Sequence, residues 1–446
     1  MKNNQKYILS LLVKIFIFLL FLFARTFTGV IIFGYRLGEY IIGGTLVLLL
    51  IYSIFIPIYK KRYVFNSKSI NFLIILLFIS FSISNIMNNV IFVDEFIYKT
   101  SSYIWSLGAI LIGYYILSDK VFIINEVDLQ LSIFGLVVIY IYSTRGISEN
   151  LQNFFLNFTD KFEYPKGSDL LLAFIFVFYI YLTRKQFSQS SLIIFLLAGS
   201  LFAPLFMVKS RSAFLSIVIF SLLTLPEFKK NIKKLDKYFY FSIIISVILF
   251  VISSSWVVSR DITIDEEITD DIKYAITSRY NTINDNQYED IVLDIKLFYI
   301  EDGRLFSSDG NLNWRFQIWQ DILIDMSKSN KLINGYGYDN IIPAMDSDQR
   351  LGQDGTNINV HNYIIHILSR GGLIHLLLYL MIYYLLFKKF KSKSLSRDYK
   401  LLVFPLIFNS LFDPSMENAH YSIIMYLLIG LVLNNRIIPV GENCKV

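Results

Sequence analysis

The sequence is poor in the residues that water-soluble enzymes use for cross-links, metal ligands and surface charge. Its 446 residues include one cysteine, Cys444, and four histidines. A single cysteine excludes an intramolecular disulfide and a zinc site built from several thiolates. Charged residues are 17% of the chain, whereas soluble domains carry roughly 25%. The chain therefore has too little polar surface for a soluble protein of this length.

Apolar residues take the place of charge. Hydrophobic residues make up 55% of the chain, aromatic residues make up 17%, and the mean hydropathy is +0.53. A membrane-spanning helix needs about 20 mostly apolar residues. Candidate runs occur at 7–24, 40–59, 70–91, 100–118, 128–142, 169–183, 191–208, 212–226, 238–256, 361–387, 400–415 and 419–435.

These runs predict an all-α polytopic membrane protein with about 12 transmembrane helices. No small-residue cleavage site follows the first run, so we expect that helix to be retained. Residues 1–256 would hold helices 1 to 9, residues 257–360 one large external loop, and residues 361–446 helices 10 to 12.

Clusters of lysine and arginine set the predicted orientation. They follow helices 2, 6, 8 and 10, at 60–62, 184–185, 229–237 and 388–397. Basic residues concentrate in cytoplasmic loops. We therefore expect both termini in the cytoplasm and the long loop outside. The net charge of +6 is explained by this pattern and does not indicate nucleic-acid binding.

The second half of the long loop has a helical pattern. Trp314, Ile318, Ile322 and Met326 recur at fourfold spacing, and the asparagines of 311–313 can cap a helix. This pattern predicts an amphipathic helix that lies on the membrane surface or packs on the helix bundle.

Two basic features stand out on the predicted outer side. Lys209 and Arg211 flank the short turn between helices 7 and 8, where charge is costly. They either form an anion site or extend to lipid headgroups. Arg315 lies at the start of the loop helix, where free backbone N–H groups also attract phosphate. It is either a phosphate ligand or an ordinary surface arginine, and Arg350 and Arg370 lie close enough in sequence to share the role.

Glycines and histidines mark the end of the loop. The run Asn334-Gly-Tyr-Gly-Tyr338 lacks the third glycine of a dinucleotide site, so we expect a tight turn that lets backbone approach a neighbour or a ligand. A helix over 361–387 would be about 40 Å long against a core of roughly 30 Å, so it protrudes or bends at Gly371-Gly372.

His361 begins this helix. The helix dipole favours a neutral imidazole there, which is the form that a general base needs. The alternative is that His361 only caps the helix. A metal site is not expected, because His361 and His366 are five residues apart on different helix faces and no HExxH motif occurs.

The order of these features resembles the O-antigen ligase/polymerase family. The features are Ser-Arg-Ser-Ala at 210–213, a long external loop, Asn-Trp-Arg at 313–315, Gly-Tyr-Gly-Tyr at 335–338 and His-Asn-Tyr-Ile-Ile-His-Ile-Leu-Ser-Arg-Gly-Gly at 361–372. The resemblance covers about residues 205–390. The N-terminal helices match in hydropathy alone.

The resemblance implies a GT-C-like glycosyltransferase of the bacterial inner membrane with a periplasmic active site. Its donor would be a glycan on undecaprenyl diphosphate, and its acceptor a hydroxyl of lipid A core or another glycan. Transfer would invert the anomeric carbon without metal or cofactor. His361 would deprotonate or position the acceptor. The implied substrate-binding residues are Arg211 and Arg315, which hold the diphosphate, with Lys209, Asn362 and Tyr338.

Other functions stay open at this point. A repeat-unit polymerase of the same family would seat two lipid diphosphates and use a second basic loop. The loop at 143–168 carries acids as well as bases, which favours a ligase. A lipid-linked glycan transporter or flippase would show discontinuous helices in matching halves. A GT-C enzyme for monosaccharide lipids would carry acids in its first external loop, where only Glu39 occurs.

Overall fold

A computed structural model describes most of the chain. The described residues are 2–59, 68–90, 95–116, 126–146, 149–159, 166–264, 298–301, 303–307, 310–338, 341–346, 359–388 and 393–433.

The first half contains thirteen helices and one short hairpin within the described residues. The helices are α1 (Lys2–Leu22), α2 (Ala24–Thr28), α3 (Leu37–Tyr59), α4 (Lys68–Met87), α5 (Glu95–Thr100), α6 (Ser102–Trp105), α7 (Ala109–Leu111), α8 (Glu126–Arg145), α9 (Glu149–Leu156), α10 (Gly167–Arg184), α11 (Gln189–Lys209), α12 (Arg211–Asn231) and α13 (Lys237–Ile264). Ser106–Gly108 is a 3-10 helix, Ile112–Ile116 is a π-helix, and β1 (Ile31–Ile32) pairs with β2 (Tyr35–Arg36).

The second half begins with the hairpin β3 (Phe298–Glu301) and β4 (Arg304–Ser307). The helices that follow are α14 (Gly310–Lys328), α15 (Tyr363–Phe387), α16 (Lys393–Asp398), α17 (Phe404–Ser410) and α18 (Ala419–Leu433). Short 3-10 helices lie at Pro343–Met345 and Pro414–Glu417, and a π-helix at Tyr399–Val403.

Seven helices in the described part of the chain are long and apolar enough to cross a membrane: α4, α8, α10, α11, α12, α13 and α15. Four apolar helices are shorter, at Leu11–Leu22, Leu37–Ile51, Ser102–Tyr114 and Ala419–Leu433. The predicted run at 400–415 contains the Tyr399–Val403 π-helix and α17, which ends at Ser410. The chain is thus mostly helical with several candidate spans, while the number of 12, the GT-C arrangement and the three-part division stay predictions.

Helix α10 lies at the centre of the bundle. Of its 18-residue span, 94% is buried, and it contacts α1, α8, α11, α12 and α18. Aromatic rings fill the space around it: the Phe174 ring lies 4.6 Å from that of Phe178 and 5.4 Å from that of Phe202. Because every face of α10 is covered, a polar residue at its ends faces other helices rather than lipid.

The predicted bend at the glycine pair of α15 is confirmed. Gly372 has φ of 79°, which breaks the helix, and the segment 332–337 inserts at the break. Tyr336 N–H donates to the Ser369 carbonyl (2.8 Å) and Gly337 N–H to the Arg370 carbonyl (2.9 Å). A Cβ on Gly335 would lie 2.3 Å from the carbonyl oxygen of Arg370. The Gly-Tyr-Gly-Tyr turn therefore exists so that backbone can approach backbone.

The predicted amphipathic loop helix is confirmed as α14. Ile318, Ile322 and Met326 are fully buried against a small apolar cluster that includes Val360. The helix begins at Gly310, so the predicted cap at 311–313 is wrong. Asn313 lies inside the helix, and its side-chain oxygen accepts a hydrogen bond from the backbone of Ser307. This helix packs on the start of α15 rather than standing away from the bundle.

The smaller loop between α8 and α10 contains a helix that the sequence did not predict. Helix α9 exposes apolar side chains, including Phe154 at 55% and Leu156 at 46%. The loop is fixed to the β1–β2 hairpin by a bridge between Thr159 and Val30.

The two ends of the bundle carry different polar contacts. We call the end formed by Arg25, Gly167, Ser210, His361 and Asp413 the loop end. The opposite end contains an ion pair between Lys185 and Glu126 (2.9 Å) and a hydrogen bond between Gln189 and Asp236. The opposite end is the predicted cytoplasmic side, and the orientation in the membrane stays a prediction.

Candidate functional site

His361 adopts an unusual backbone conformation at the loop end. Its φ is 56°, in the left-handed region, and the next residue, Asn362, caps α15. The Asn362 side-chain oxygen accepts hydrogen bonds from the N–H groups of Ile364 and Ile365, each at 3.0 Å. Asparagine is a far better cap than histidine. The proposal that His361 serves as the cap is therefore wrong, and its imidazole is directed elsewhere.

The imidazole of His361 packs on the loop helix. Its ring lies edge-on to the Trp314 ring, with centroids 5.3 Å apart. Trp319, one turn further along α14, donates from its indole N–H to the Val360 carbonyl at 2.8 Å. Two tryptophans of the amphipathic helix thus contact the segment 360–361 and fix its position.

Two cations act electrostatically on His361. Burial, together with the charges of Arg315 and Lys166, lowers the pKa of His361 to about 3. The imidazole is therefore neutral at physiological pH. Lys166 belongs to the smaller loop before α10, so three distant parts of the sequence meet at this histidine.

Arg315 links α14 to the connection after α17. Its guanidinium donates to the Phe412 carbonyl, and the side chain is half-buried. The next residue, Asp413, has its pKa raised to about 6 by burial and by Asp169, against the lowering effect of Arg315, Lys166 and His420. Arg315 therefore acts electrostatically on both His361 and Asp413.

A buried pair lies beneath these groups. His420 Nε2 and Asp169 Oδ1 are 2.7 Å apart, at the starts of α18 and α10. The backbone N–H of Lys166 donates to the other oxygen of Asp169 at 3.3 Å. The charge of Arg25 also acts on Asp169. Polar groups at the ends of apolar helices are costly and are retained for structure or function.

Lys209 and Arg211 lie at the same end of the bundle, and both side chains are exposed. Ser210 between them caps α12 by accepting from the Ala213 N–H at 3.3 Å. Gly167 allows this turn to approach α10, because a Cβ there would lie 2.3 Å from the Cβ of Ser210. The turn thus packs against Gly167, the residue next to Lys166.

Tyr338 and Arg370 are not brought to this cluster. Tyr338 is fully buried, and its hydroxyl lies 2.6 Å from that of Tyr103. Arg370 is 1% exposed, donates to the Gly337 carbonyl at 3.2 Å, and lies 5.4 Å above the Phe96 ring. Both stabilise the inserted turn at the bend of α15. Arg350 lies outside the described residues.

The sequence missed several members of the cluster. Asp413 falls within a predicted apolar run, and Asp169 and His420 at the edges of two others. The pair Asp413-Pro414 was an available signal that the helix ends there. Within the described residues, no group of three His, Cys, Asp or Glu side chains is placed to hold a metal ion. Metal independence stays a prediction.

These features define a helical membrane protein with a cationic, histidine-containing site at one end of its bundle, completed by a long loop. Residues 197–380 match the family model described as O-Antigen ligase. This match confirms, over that segment, the resemblance to the O-antigen ligase/polymerase family. It includes Lys209, Arg211, Arg315 and His361, whereas Lys166 and Asp413 lie outside it. No curated protein matches the chain.

The two cations around His361 predict a pH effect. A base must be unprotonated, so activity falls only as the pH drops through the pKa of the free enzyme's base. We expect kcat/KM of the wild-type protein to show no acid limb at the ordinary histidine pKa of about 6.5. In Lys166→Met a charge that lowers the pKa of His361 is removed, so any acid limb moves to higher pH.

The measurement is kcat/KM from pH 4 to 9. An acid limb at the same pH in both proteins would contradict the coupling of Lys166 to the site. Since the pKa of Asp413 is about 6, protonation of Asp413 is a second explanation for an acid limb near that pH. A limb that persists in Asp413→Asn belongs to His361.

Proposed function

We propose that the protein transfers a glycan from undecaprenyl diphosphate to an acceptor hydroxyl at the outer face of the bacterial inner membrane. The proposal is supported by the match of residues 197–380 to the O-Antigen ligase family model and by the position of His361, which packs on Trp314 of the loop helix and feels the charges of Arg315 and Lys166. A neutral base beside fixed cations matches a reaction that takes a proton from one substrate and releases an anion from the other.

The chemistry follows from these roles. The acceptor oxygen attacks the anomeric carbon, and its proton goes to a ring nitrogen of His361. The bond from the anomeric carbon to the diphosphate oxygen breaks, and the electron pair leaves with undecaprenyl diphosphate. Attack opposite the leaving group inverts the configuration. Arg315 stabilises the charge that develops on the leaving group.

The order of binding follows from charge. With a pKa of about 3, His361 is a weak base in the free protein. A diphosphate beside Arg315 and Lys166 offsets their charges and raises the pKa of His361. The proposal therefore has the donor bind first and activate the base for the acceptor.

Lys209 and Arg211 are assigned to the diphosphate as well. Both are exposed on the turn that packs against Gly167, so they are available to a lipid headgroup arriving from the bilayer. Asn362 supports the site by capping α15. The proposal gives Tyr338 no direct substrate contact, since its side chain is fully buried.

The test is transfer by the purified protein in proteoliposomes supplied with a lipid-diphosphate glycan and an acceptor. We expect one free undecaprenyl diphosphate per glycan transferred, with activity unchanged in EDTA, because guanidinium groups supply the charge that a divalent cation would supply. Activity that is lost in the chelator and restored by Mg²⁺ or Mn²⁺ would contradict the metal-free mechanism.

Within the family we favour a ligase over a repeat-unit polymerase. Both reactions use the same donor and leaving group, and the residues above serve either. Among the described residues of the smaller loop, Lys166 is the cation that acts on the cluster, whereas a second lipid diphosphate calls for a basic patch.

A deletion strain separates these two reactions. We expect the surface polymer to disappear while long lipid-linked chains accumulate. Surface glycan limited to one repeat unit would identify a polymerase instead. A glycan gel of the surface and lipid-linked fractions gives this result.

A further inference from the structure

An apolar groove runs along the flank of the bundle between α1 and α3. Its volume is about 450 Å³. Phe16 and Leu20 of α1 line one wall, Tyr40 and Gly44 of α3 line the other, and Ile423 of α18 lies at its base. The lining spans nine residues of each wall helix, from 12 to 20 and from 40 to 48, so the groove is about 12 Å long.

The base of the groove is fixed by close backbone packing. A Cβ on Gly108 would lie 1.8 Å from the Thr45 carbonyl oxygen, and one on Gly113 would lie 2.1 Å from that of Leu427. These contacts hold α3 and α18 against the segment 106–116. A Cβ added to Gly44 would have no neighbour within 4 Å, so the α3 wall is open where Gly44 faces the groove.

The groove ends beside the polar cluster. Ile423 lies one turn from His420, which is paired with Asp169. Leu20 lies just before α2, which carries Arg25, and the charge of Arg25 acts on that same Asp169. The apolar groove therefore ends near Arg25, whose charge acts on Asp169 of the polar cluster.

A second surface cavity differs from the groove in both its walls and its position relative to the polar cluster. Residues of α15 alone line it, from Ile374 to Tyr384. Within the part of the chain that the structure describes, no second helix forms an opposite wall, and none of the lining residues belongs to the polar cluster.

We infer that the α1–α3 groove holds the polyprenyl chain of the lipid-diphosphate donor. This inference rests on the proposed function. A donor whose diphosphate lies beside Arg315 and Lys166 must pass its chain from the site to the bilayer. The groove supplies an apolar route of that kind, and the charge of Arg25 near its end complements that of the diphosphate.

Neighbouring glycines provide the test and its control. Gly44→Phe fills the groove, whereas Gly43→Phe adds the same bulk next to it, at a position that also has no neighbour within 4 Å. For a long-chain donor we expect the KM of Gly44→Phe to rise at least about tenfold, which is roughly 1.4 kcal/mol of binding. The KM of Gly43→Phe stays near that of the wild type. A short-chain donor shows no difference among the three proteins.

An unchanged KM of Gly44→Phe for the long-chain donor would overturn the inference. An equal rise in the KM of Gly44→Phe for both donors would also overturn it, since the weaker binding would not depend on the length of the chain.

A second measurement needs no variant. A photoreactive polyprenyl diphosphate without glycan is crosslinked to the wild-type protein in vesicles. We expect labelled peptides from α1 and α3, with labelling competed by unlabelled polyprenyl diphosphate and not by phosphatidylglycerol. Competition by both lipids identifies a general lipid groove and refutes the assignment.

The crosslinking result is independent of transfer. Labelling in the groove of a protein that transfers no glycan would show that the proposed function fails while the chain site stands. Glycan transfer without labelling of α1 and α3 would show that the proposed function stands while the chain site fails.

Discussion

Replacing His361 with asparagine lowers the turnover of glycan transfer by at least about 100-fold, the lower end of what a general base contributes. Asparagine tolerates the left-handed backbone of this position, so the segment keeps its conformation while the base is lost. His361→Ala removes the same base but also strains the backbone. We expect equal losses of turnover in both variants and a lower melting temperature in the alanine variant alone.

A matched control separates chemistry from backbone strain. Asn330 also has a left-handed backbone, with φ of 57°, and lies in the exposed turn after α14. Asn330→Ala carries the same kind of strain without touching the cluster, so its turnover should stay near that of the wild type. A His361→Asn protein that keeps more than about a third of wild-type turnover, against the expected 10²–10⁴-fold loss, would show that His361 is not the base.

Replacing Arg315 with alanine lowers kcat/KM for the lipid-diphosphate donor by about 10²–10³-fold, the cost of removing one preorganised donor from a developing anion. Arg315→Lys restores only part of this, because lysine lacks the planar fork that binds phosphate through two hydrogen bonds. Arg211→Ala should act in the same direction, and since Arg211 is exposed its loss leaves the packing intact.

Arg304→Ala is the control for the loss of an arginine from the same loop. Arg304 forms an ion pair with Asp321 on the hairpin side of α14 and takes no part in the cluster. Arg304→Ala should change kcat/KM less than twofold. Since Arg315 also bonds to the Phe412 carbonyl, the comparison must include thermal stability. Arg315→Lys and Arg315→Ala proteins of equal kcat/KM would argue for a packing role only.

Features that depend on neighbouring residues could be predicted from the sequence. The spacing of Ile318, Ile322 and Met326 predicted the buried face of α14, and the length of α15 with its glycine pair predicted the bend. Both signals arise from helix periodicity and from the conformational freedom of glycine. They do not require knowledge of which segments meet.

Features that depend on tertiary contact could not be predicted. Lys166 and His361 interact although they belong to distant segments of the sequence, and no local pattern contains that information. Tyr338 was assigned to the substrate because of its position in a motif, yet the inserted turn directs it to Tyr103. That Asn362 rather than His361 caps α15 could have been predicted from residue preference alone.

The insertion of segment 332–337 into the bend of α15 has a consequence for how the protein folds. The bend leaves carbonyls at Ser369 and Arg370 without partners from their own helix, and the loop supplies those partners. Unpartnered backbone is costly in a lipid environment. The loop precedes α15 in the chain, so it is available as soon as that helix leaves the ribosome. Formation of the bend in α15 is thus coupled to the docking of a segment that precedes this helix in the chain.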